Sequence, residues 1–207
     1  MSTACYGPRA AKSTPSRNNY SCGADTLVRA TSAPFKHYNY RVISTRSHQN
    51  STRFLIRPST SSDDTAIISI ANAAFAIETF MDGTRTDTDR LADMKKQGEV
   101  LVAEANGNVI ACIYVELHGS RGYFGMLSVS PQSQGTGAGR AMVEAAENYC
   151  RERGCTDMDI DVLNMRPELF PYYRKLGYFE TGTEEFHPTR PIKPGVNCYC
   201  VVMSKKL

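Results

Sequence analysis

Apolar and polar positions fall into regular periods from about residue 53 onward. Arg53-Phe-Leu-Ile-Arg57 predicts a first strand, ended by Pro58. Ser61-Ser-Asp-Asp64 has the form of a helix-start box with Asp in place of Glu, and a helix is expected from there to about Phe80. Ile67, Ile68, Ile70, Ala71, Ala74 and Phe75 supply its apolar face. A shorter helix is predicted from Thr88 to Lys96, stopped by Gly98. Val100 to Glu104 and Val109 to Val115 read as two strands of a hairpin joined through Asn106-Gly107. A strand from Tyr123 to Val129 follows, then a helix from Gly139 to Arg153 that Gly154 closes. Along Asp157 to Leu163, Met158, Ile160 and Val162 alternate with Asp157, Asp159 and Asp161, the period of a strand. A short helix from Glu168 to Lys175, closed by Gly177, precedes strands near 178–186 and 197–203.

This order places one strand, helix, strand crossover between hairpins. The crossover requires a parallel pair and the hairpins antiparallel ones. The fold class is therefore α/β: a mixed central sheet of about six to seven strands with helices on both faces.

Residues 1–52 show no sustained apolar period and are interrupted by Pro8, Pro15 and Pro34. Such a segment buries too little apolar surface to offset its ordering entropy, so 1–52 is expected to be a disordered extension and 53–207 the folded domain. Charge sharpens that division. Residues 1–53 hold eight cations and one acid, and the remainder sixteen cations and twenty acids. The basic balance belongs to the extension, and its cations are scattered along the chain, which argues against nucleic-acid binding. No apolar run approaches the roughly 20 residues needed to cross a bilayer, so no membrane association is expected. The expected location is the cytoplasm, or the mitochondrion if the Arg- and Ser-rich residues 1–52 act as a transit peptide. Seven cysteines without a C-x-x-C pair fit buried thiols in a reducing compartment, not a zinc or disulfide framework.

The candidate chemistry centres on Val129-Ser-Pro-Gln-Ser-Gln-Gly-Thr-Gly-Ala-Gly-Arg140. It follows a strand and opens a helix, whose first N–H groups have no intrahelical acceptor and whose dipole favours an anion. Gly135, Gly137 and Gly139 lack a Cβ, so a diphosphate can approach the backbone, and Arg140 adds a cation. Two rival phosphate binders fail on spelling. A P-loop needs Gly-Lys-Ser/Thr where Gly139 is followed by Arg140 and Ala141, and a dinucleotide fingerprint needs G-x-G-x-x-G where these glycines run G-x-G-x-G.

The stretch resembles the acyl-CoA signature of the GNAT N-acetyltransferase superfamily, Q/R-x-x-G-x-G/A. Gln132-Ser-Gln-Gly135-Thr-Gly137 matches it, and Gln134-Gly135-Thr136-Gly137-Ala138-Gly139 matches the common Q-G-x-G-x-G variant. A second match lies downstream, where Asn164 and then Tyr173-Arg-Lys-Leu-Gly-Tyr178 resemble the family's "N … FYEKLGF" segment. The resemblance implies the GNAT fold, acetyl-CoA as cosubstrate without a metal, and a small-molecule or peptide amine as acceptor. Cofactor contacts are implied at Leu127, Val129, Gln134, Gly135, Thr136, Gly137, Ala138, Gly139, Arg140, Asn164 and Tyr173. A homodimer is left open.

Amine acetylation needs a proton acceptor for the amine, an N–H donor for the thioester oxygen and a proton for the departing thiolate. The resemblance gives the last role to Tyr173, since a tyrosine hydroxyl of ordinary pKa, about 10, stays protonated at neutral pH. Tyr172 is expected in packing. A backbone N–H around Leu127 to Val129 takes the second role. Family members that carry a glutamate on the strand before the turn have no counterpart in Gly122 to Val129. The base is therefore open among Glu116 first, then Glu78, His118 and an ordered water. Glu78, Asp82 and Asp87 are candidates for attracting a cationic acceptor. The competing reading is a non-catalytic acyl-CoA-binding module on the same fold.

Overall fold

The computed structural model describes the backbone of residues 41–47 and 50–53 and the whole of residues 54–207. Among these, eight strands form one sheet: β1 Arg41–Ser47, β2 Asn50–Pro58, β3 Glu99–Ala105, β4 Asn108–His118, β5 Arg121–Val129, β6 Asp157–Leu163, β7 Phe179–Glu185 and β8 Tyr199–Lys206, in the order β1-β2-β3-β4-β5-β6-β8-β7. Four helices cover it: α1 Asp64–Phe75, α2 Thr88–Gln97, α3 Ala138–Arg151 and α4 Leu169–Lys175. Every neighbouring pair is antiparallel except β5 and β6. None of the described helices is long and apolar enough to cross a membrane.

The alternation predicted from sequence sets the two layers. Ile67, Ala71 and Phe75 of α1 and Leu91 and Met94 of α2 bury against Val100, Val102, Cys112 and Tyr114 of the sheet. α3 packs on β4 and β5 from the other face. There the sheet approaches the helix so closely that a Cβ on Gly122 would lie 2.5 Å from Cys150 Sγ, which leaves glycine as the residue that fits. Burial pushes the Cys112 and Cys150 thiols up to about 12, so both stay protonated and serve as packing groups.

Three boundaries differ from the sequence expectation. The sheet reaches back to Arg41, because β1 pairs with β2 from Arg41↔Ile56 to Ser47↔Asn50. β1 is a sheet-edge strand of sequence RVISTRS, whose few apolar residues give no alternation to recognise. The expectation of disorder for residues 1–40 lies outside the described residues. Helix α1 ends at Phe75 and not near Phe80, since the next two apolar residues, Ala76 and Ile77, are exposed, Ile77 at 63 %. The helix-start box lies one residue earlier than read: Thr60 N donates to Asp63 Oδ2 at 2.7 Å.

Asp63 is the anchor of that corner. Its carboxylate accepts from Arg57 Nη1 at 2.7 Å and Nη2 at 2.9 Å, and Arg57 reaches Glu104 on β3 at 3.2 Å. The hydrogen bonds from Arg57 hold the Asp63 carboxyl well below the usual carboxylate range. Asp63→Asn is expected to lower stability at pH 7 by about 1.5–3 kcal/mol, the usual worth of hydrogen bonds to a charged group. The lowered folded pKa contributes stability above the ordinary Asp value and loses it on acidification, so the gap should narrow below about pH 4. Urea unfolding of both proteins across this range checks the sign.

Candidate active site

β5 and β6 are paired only through Arg121↔Asp157, Gly122↔Met158 and Tyr123↔Asp159. β5 continues to Val129 and β6 to Leu163. From Phe124 onward the two parallel strands therefore splay, and the edge of β5 that faces β6 keeps backbone N–H and C=O groups without a strand partner among the described residues. This is a wedge in the middle of the sheet, narrow at Tyr123 and wide at Val129.

A bulge sits on its wall. Cys112 pairs with Ser128 and Tyr114 with Gly125, so Ile113 alone faces both Met126 and Leu127. Met126 takes φ +51°, and Ser128 Oγ donates to its carbonyl at 3.0 Å. A buried non-glycine residue in the left-handed region is strained, and bulges of this kind re-aim a strand beside a site. Here the bulge re-phases β5 and turns Met126 into the core against α1 and α2.

The wide end of the wedge runs into the glycine turn. A short 3-10 turn at Pro131–Ser133 leads to Gly135 at φ +78° and Gly137 at φ +90°, which caps α3. Thr136 Oγ1 braces the turn by donating to Ser133 O at 2.6 Å. Among the described residues no side chain caps the helix, so the first-turn N–H groups of Ala138, Gly139 and Arg140 lack an intrahelical acceptor. A groove of about 410 Å³ leads away from them along α3, and Arg140, Arg151, Lys175 and Lys205 contribute cations to its lining.

The two tyrosines of α4 divide differently from expectation. Tyr173 is wholly buried, its ring 6.1 Å from Phe124 and 5.9 Å from Tyr178. Phe124 is the first β5 residue past the last parallel pair, so Tyr173 lies against the apex of the wedge. Tyr172, expected in packing, carries its hydroxyl to the turn instead, 3.4 Å from where a Gly139 Cβ would be. That hydroxyl is buried and has no hydrogen-bond partner among the described residues. Burial pushes it up to about 12, so it stays protonated and able to donate. Local spacing could not have found it, since the two residues are adjacent in sequence.

The remaining sequence candidates are distributed as follows. Leu127 and Val129 are buried on the wedge wall, and Gln134 and Arg140 are exposed at the turn. Asn164 is not brought to the turn: its side chain donates to Asn197 O at 3.1 Å and accepts from Tyr199 N at 2.9 Å, fastening the end of β6 to β8. Glu116 accepts from Tyr114 Oη at 2.6 Å and pairs with His118 at 2.8 Å. It faces Tyr123 across β4 and β5, at the closed end of the wedge. The bulge is three to four residues further on, roughly 10–13 Å at about 3.3 Å per residue. A second carboxylate that the sequence pattern did not single out lies on β6 past the last parallel pair: Asp161, buried, two residues on and on the same face as Asp159.

The acidic residues expected to attract a cation are otherwise engaged. Asp87 caps α2 by accepting from Arg90 N at 2.9 Å, and Asp82 lies 3.9 Å from Lys193. Glu78 is 4 % exposed and is held by Arg166 at 3.2 Å and by Arg190. Burial raises its carboxyl while Arg190, Arg85 and Arg166 pull it down, and burial prevails. Among the described residues, no three His, Cys, Asp or Glu side chains converge as metal ligands would.

Comparison with known proteins agrees with this geometry. A family model described as the Acetyltransferase (GNAT) family matches residues 65–178, more than half of the chain, from α1 through the wedge and the turn to the end of α4. The ribosomal-protein-alanine N-acetyltransferase of Brucella melitensis is 23 % identical with a TM-score of 0.60, covering 74 % of this chain and 99 % of that one. The Escherichia coli ribosomal-protein-S18-alanine N-acetyltransferase is 17 % identical with a TM-score of 0.57, covering 74 % and 93 %. A GNAT family acetyltransferase from Elizabethkingia anophelis, solved with acetyl-CoA bound, is 15 % identical with a TM-score of 0.58, covering 74 % and 98 %. At these identities the structural likeness is one of fold. The family match covers the residues that build the wedge and the turn, and the chain belongs to the GNAT family of acetyltransferases.

Proposed function

We propose that this protein transfers the acetyl group of acetyl-CoA to a primary amine by direct attack in a ternary complex. The observation that carries this reading is the wedge between β5 and β6, ending at an uncapped helix N-terminus with two left-handed glycines. The unsatisfied N–H groups and Arg140 suit the diphosphate, the open edge of β5 suits the amide groups of the pantetheine arm, and the Tyr172 hydroxyl offers a donor between them. The acetyl-CoA-bound relative of the same fold supports the choice of donor.

The steps balance on groups of this chain. The neutral amine attacks the thioester carbon, and the oxygen that becomes negative accepts from β5 N–H groups around Leu127 to Val129. The C–S bond breaks, and Tyr173 at the wedge apex protonates the thiolate. The amine's proton passes through ordered water to Glu116, because the distance excludes direct transfer. Asp161 favours a second reading for the base, since it stands beside the splayed segment.

Glu116→Gln is expected to lower kcat/KM about tenfold, short of the hundredfold or more typical of a directly placed base. If Glu116→Gln leaves kcat/KM near the parental value and Asp161→Asn lowers it at least about tenfold, the base is Asp161. The reading as a whole is tested by offering acetyl-CoA and a panel of primary amines, following thiol release and identifying the product by mass. Tight acetyl-CoA binding with no acetylated product from any amine would favour the non-catalytic binding module.

A further inference from the structure

Among the described residues, three loops meet beside the wide end of the wedge: 76–87 between α1 and α2, 164–168 between β6 and α4, and 186–198 between β7 and β8. Strand parity fixes their side of the sheet. Met158 Sδ lies 3.1 Å from a Cβ built on Gly122, next to Cys150 of α3. Met158, Ile160 and Val162 therefore face α3, and Asp161 and Leu163 face away from it. Leu163 packs with Met81 of the first loop, Phe186 of the third and Cys200. The loops thus wall the wedge on the face opposite α3 and the glycine turn. With the diphosphate at the turn, that opposite face is the one open to the amine.

The three loops close into a ring. The first and third are joined by backbone, with Asp82 N donating to Pro191 O at 2.9 Å and Lys193 N to Phe80 O at 3.0 Å around the bridge Met81↔Ile192. The second and third are joined by Asn164, which donates to Asn197 O at 3.1 Å and accepts from Tyr199 N at 2.9 Å. The first and second are joined by Glu78, whose Oε1 accepts from Arg166 Nη1 at 3.2 Å. Its other oxygen accepts from Arg190 of the third loop, and Arg190 Nη1 donates to Gly83 O at 3.3 Å. Glu78 therefore touches both of the other loops. The first loop is also fixed to α1, where Asn72 donates to Thr86 O and accepts from Thr86 N, both at 3.0 Å, and Arg85 lies over the Phe75 ring. Glu78, Arg166 and Arg190 are all buried, and removing one partner of a buried ion pair strands the other.

We propose that Glu78 and Asn164 are positioning residues for the acceptor. They hold the three loops as one preassembled wall on which the amine docks, and they act through those loops. This rests on the acetyl-transfer reading and deepens it. A wall that must order as the amine binds weakens binding in proportion to the fraction of time it is assembled beforehand. Opening the ring therefore raises the KM of the amine, while kcat at saturation and acetyl-CoA affinity stay at their parental values.

The test uses the primary amine with the highest kcat/KM for the parent protein. Glu78→Gln should raise its KM at least about fivefold, as for a wall assembled less than about a fifth of the time, with kcat and the acetyl-CoA Kd within about twofold of the parent. Asn164→Ala opens the ring at an exposed joint without stranding a buried charge, and should raise KM at least about threefold. Hydrogen exchange gives a readout apart from activity: in Glu78→Gln the Asp82 and Lys193 amides should lose protection while those of β3 and β4 keep theirs. Asp63→Asn is the control for destabilisation alone, and should lower stability with KM unchanged. Should Glu78→Gln fail to fold, Asn164→Ala decides alone. A KM in the ring variants no higher than in Asp63→Asn would overturn the inference and leave acetyl transfer standing. Weaker acetyl-CoA binding by Asn164→Ala would place Asn164 on the cosubstrate and overturn its role in the wall. No acetylation of any amine by the parent protein, with acetyl-CoA still bound, would overturn both readings.

Discussion

Gly135→Asp is expected to weaken acetyl-CoA binding by at least tenfold while the protein still folds. Gly135 sits at φ +78° with nothing within 4 Å of a built Cβ, so a side chain meets open space and the cost to the fold is backbone strain alone. That strain is about 1–2 kcal/mol for a non-glycine residue in the left-handed region. The loss in binding has another origin. A carboxylate about 4 Å from a single phosphate charge costs roughly 1–4 kcal/mol between water-like and surface-like dielectric, and about 1.4 kcal/mol is already tenfold. Gly154 provides the control. It lies beyond the C-terminal end of α3 at φ +85°, also with nothing within 4 Å. Gly154→Asp imposes the same strain far from the turn and should leave the affinity unchanged. Titration calorimetry on both variants separates charge from strain. Equal affinities in the two would remove the turn from the diphosphate site.

The periodic parts of this chain were legible because each element states its own pattern. The hairpin at Asn106-Gly107, the alternation along Asp157–Leu163 and the glycine stops at Gly98, Gly154 and Gly177 all correspond to observed boundaries or turns. The glycine turn was legible for the same reason, since phosphate chemistry demands residues without Cβ next to a helix start. Features assembled from separate parts of the chain were not. Glu78, Arg85, Arg166 and Arg190 share no local spacing, and only the folded loops bring them together. β1 gives little signal, since its edge position asks for few apolar residues. At the bulge the left-handed position falls on Met126 and not on the adjacent Gly125, so no glycine marks it. The division of labour between Tyr172 and Tyr173 depends on how α4 is rotated against the sheet, which adjacent residues of one type cannot reveal.

That rotation gives the two tyrosines opposite expected phenotypes. Tyr172→Phe removes a buried hydroxyl that has no hydrogen-bond partner among the described residues. Deleting such a group relieves a desolvation penalty of about 1–3 kcal/mol, so the variant should be as stable as the parent or more stable. Acetyl-CoA loses a donor, however, and its Kd should rise several-fold, in line with about 0.5–1.5 kcal/mol for one hydrogen bond. Tyr173→Phe keeps the ring between Phe124 and Tyr178 and removes only the proton donor. General acid catalysis contributes about a hundredfold to ten-thousandfold, so turnover should fall at least tenfold with acetyl-CoA affinity nearly unchanged. The burial of Tyr173 sets a condition on this role: the thiol end of the cosubstrate must penetrate to Phe124, at the apex of the wedge. If the sulfur stops short, nearer the turn, the pattern inverts, with Tyr172→Phe losing turnover and Tyr173→Phe keeping it. Single-turnover rates and acetyl-CoA titrations on both variants, with an amine the parent protein acetylates, decide between the two. Near-parental turnover in both would take the α4 tyrosines out of the proton transfer and leave the thiolate to be protonated by water.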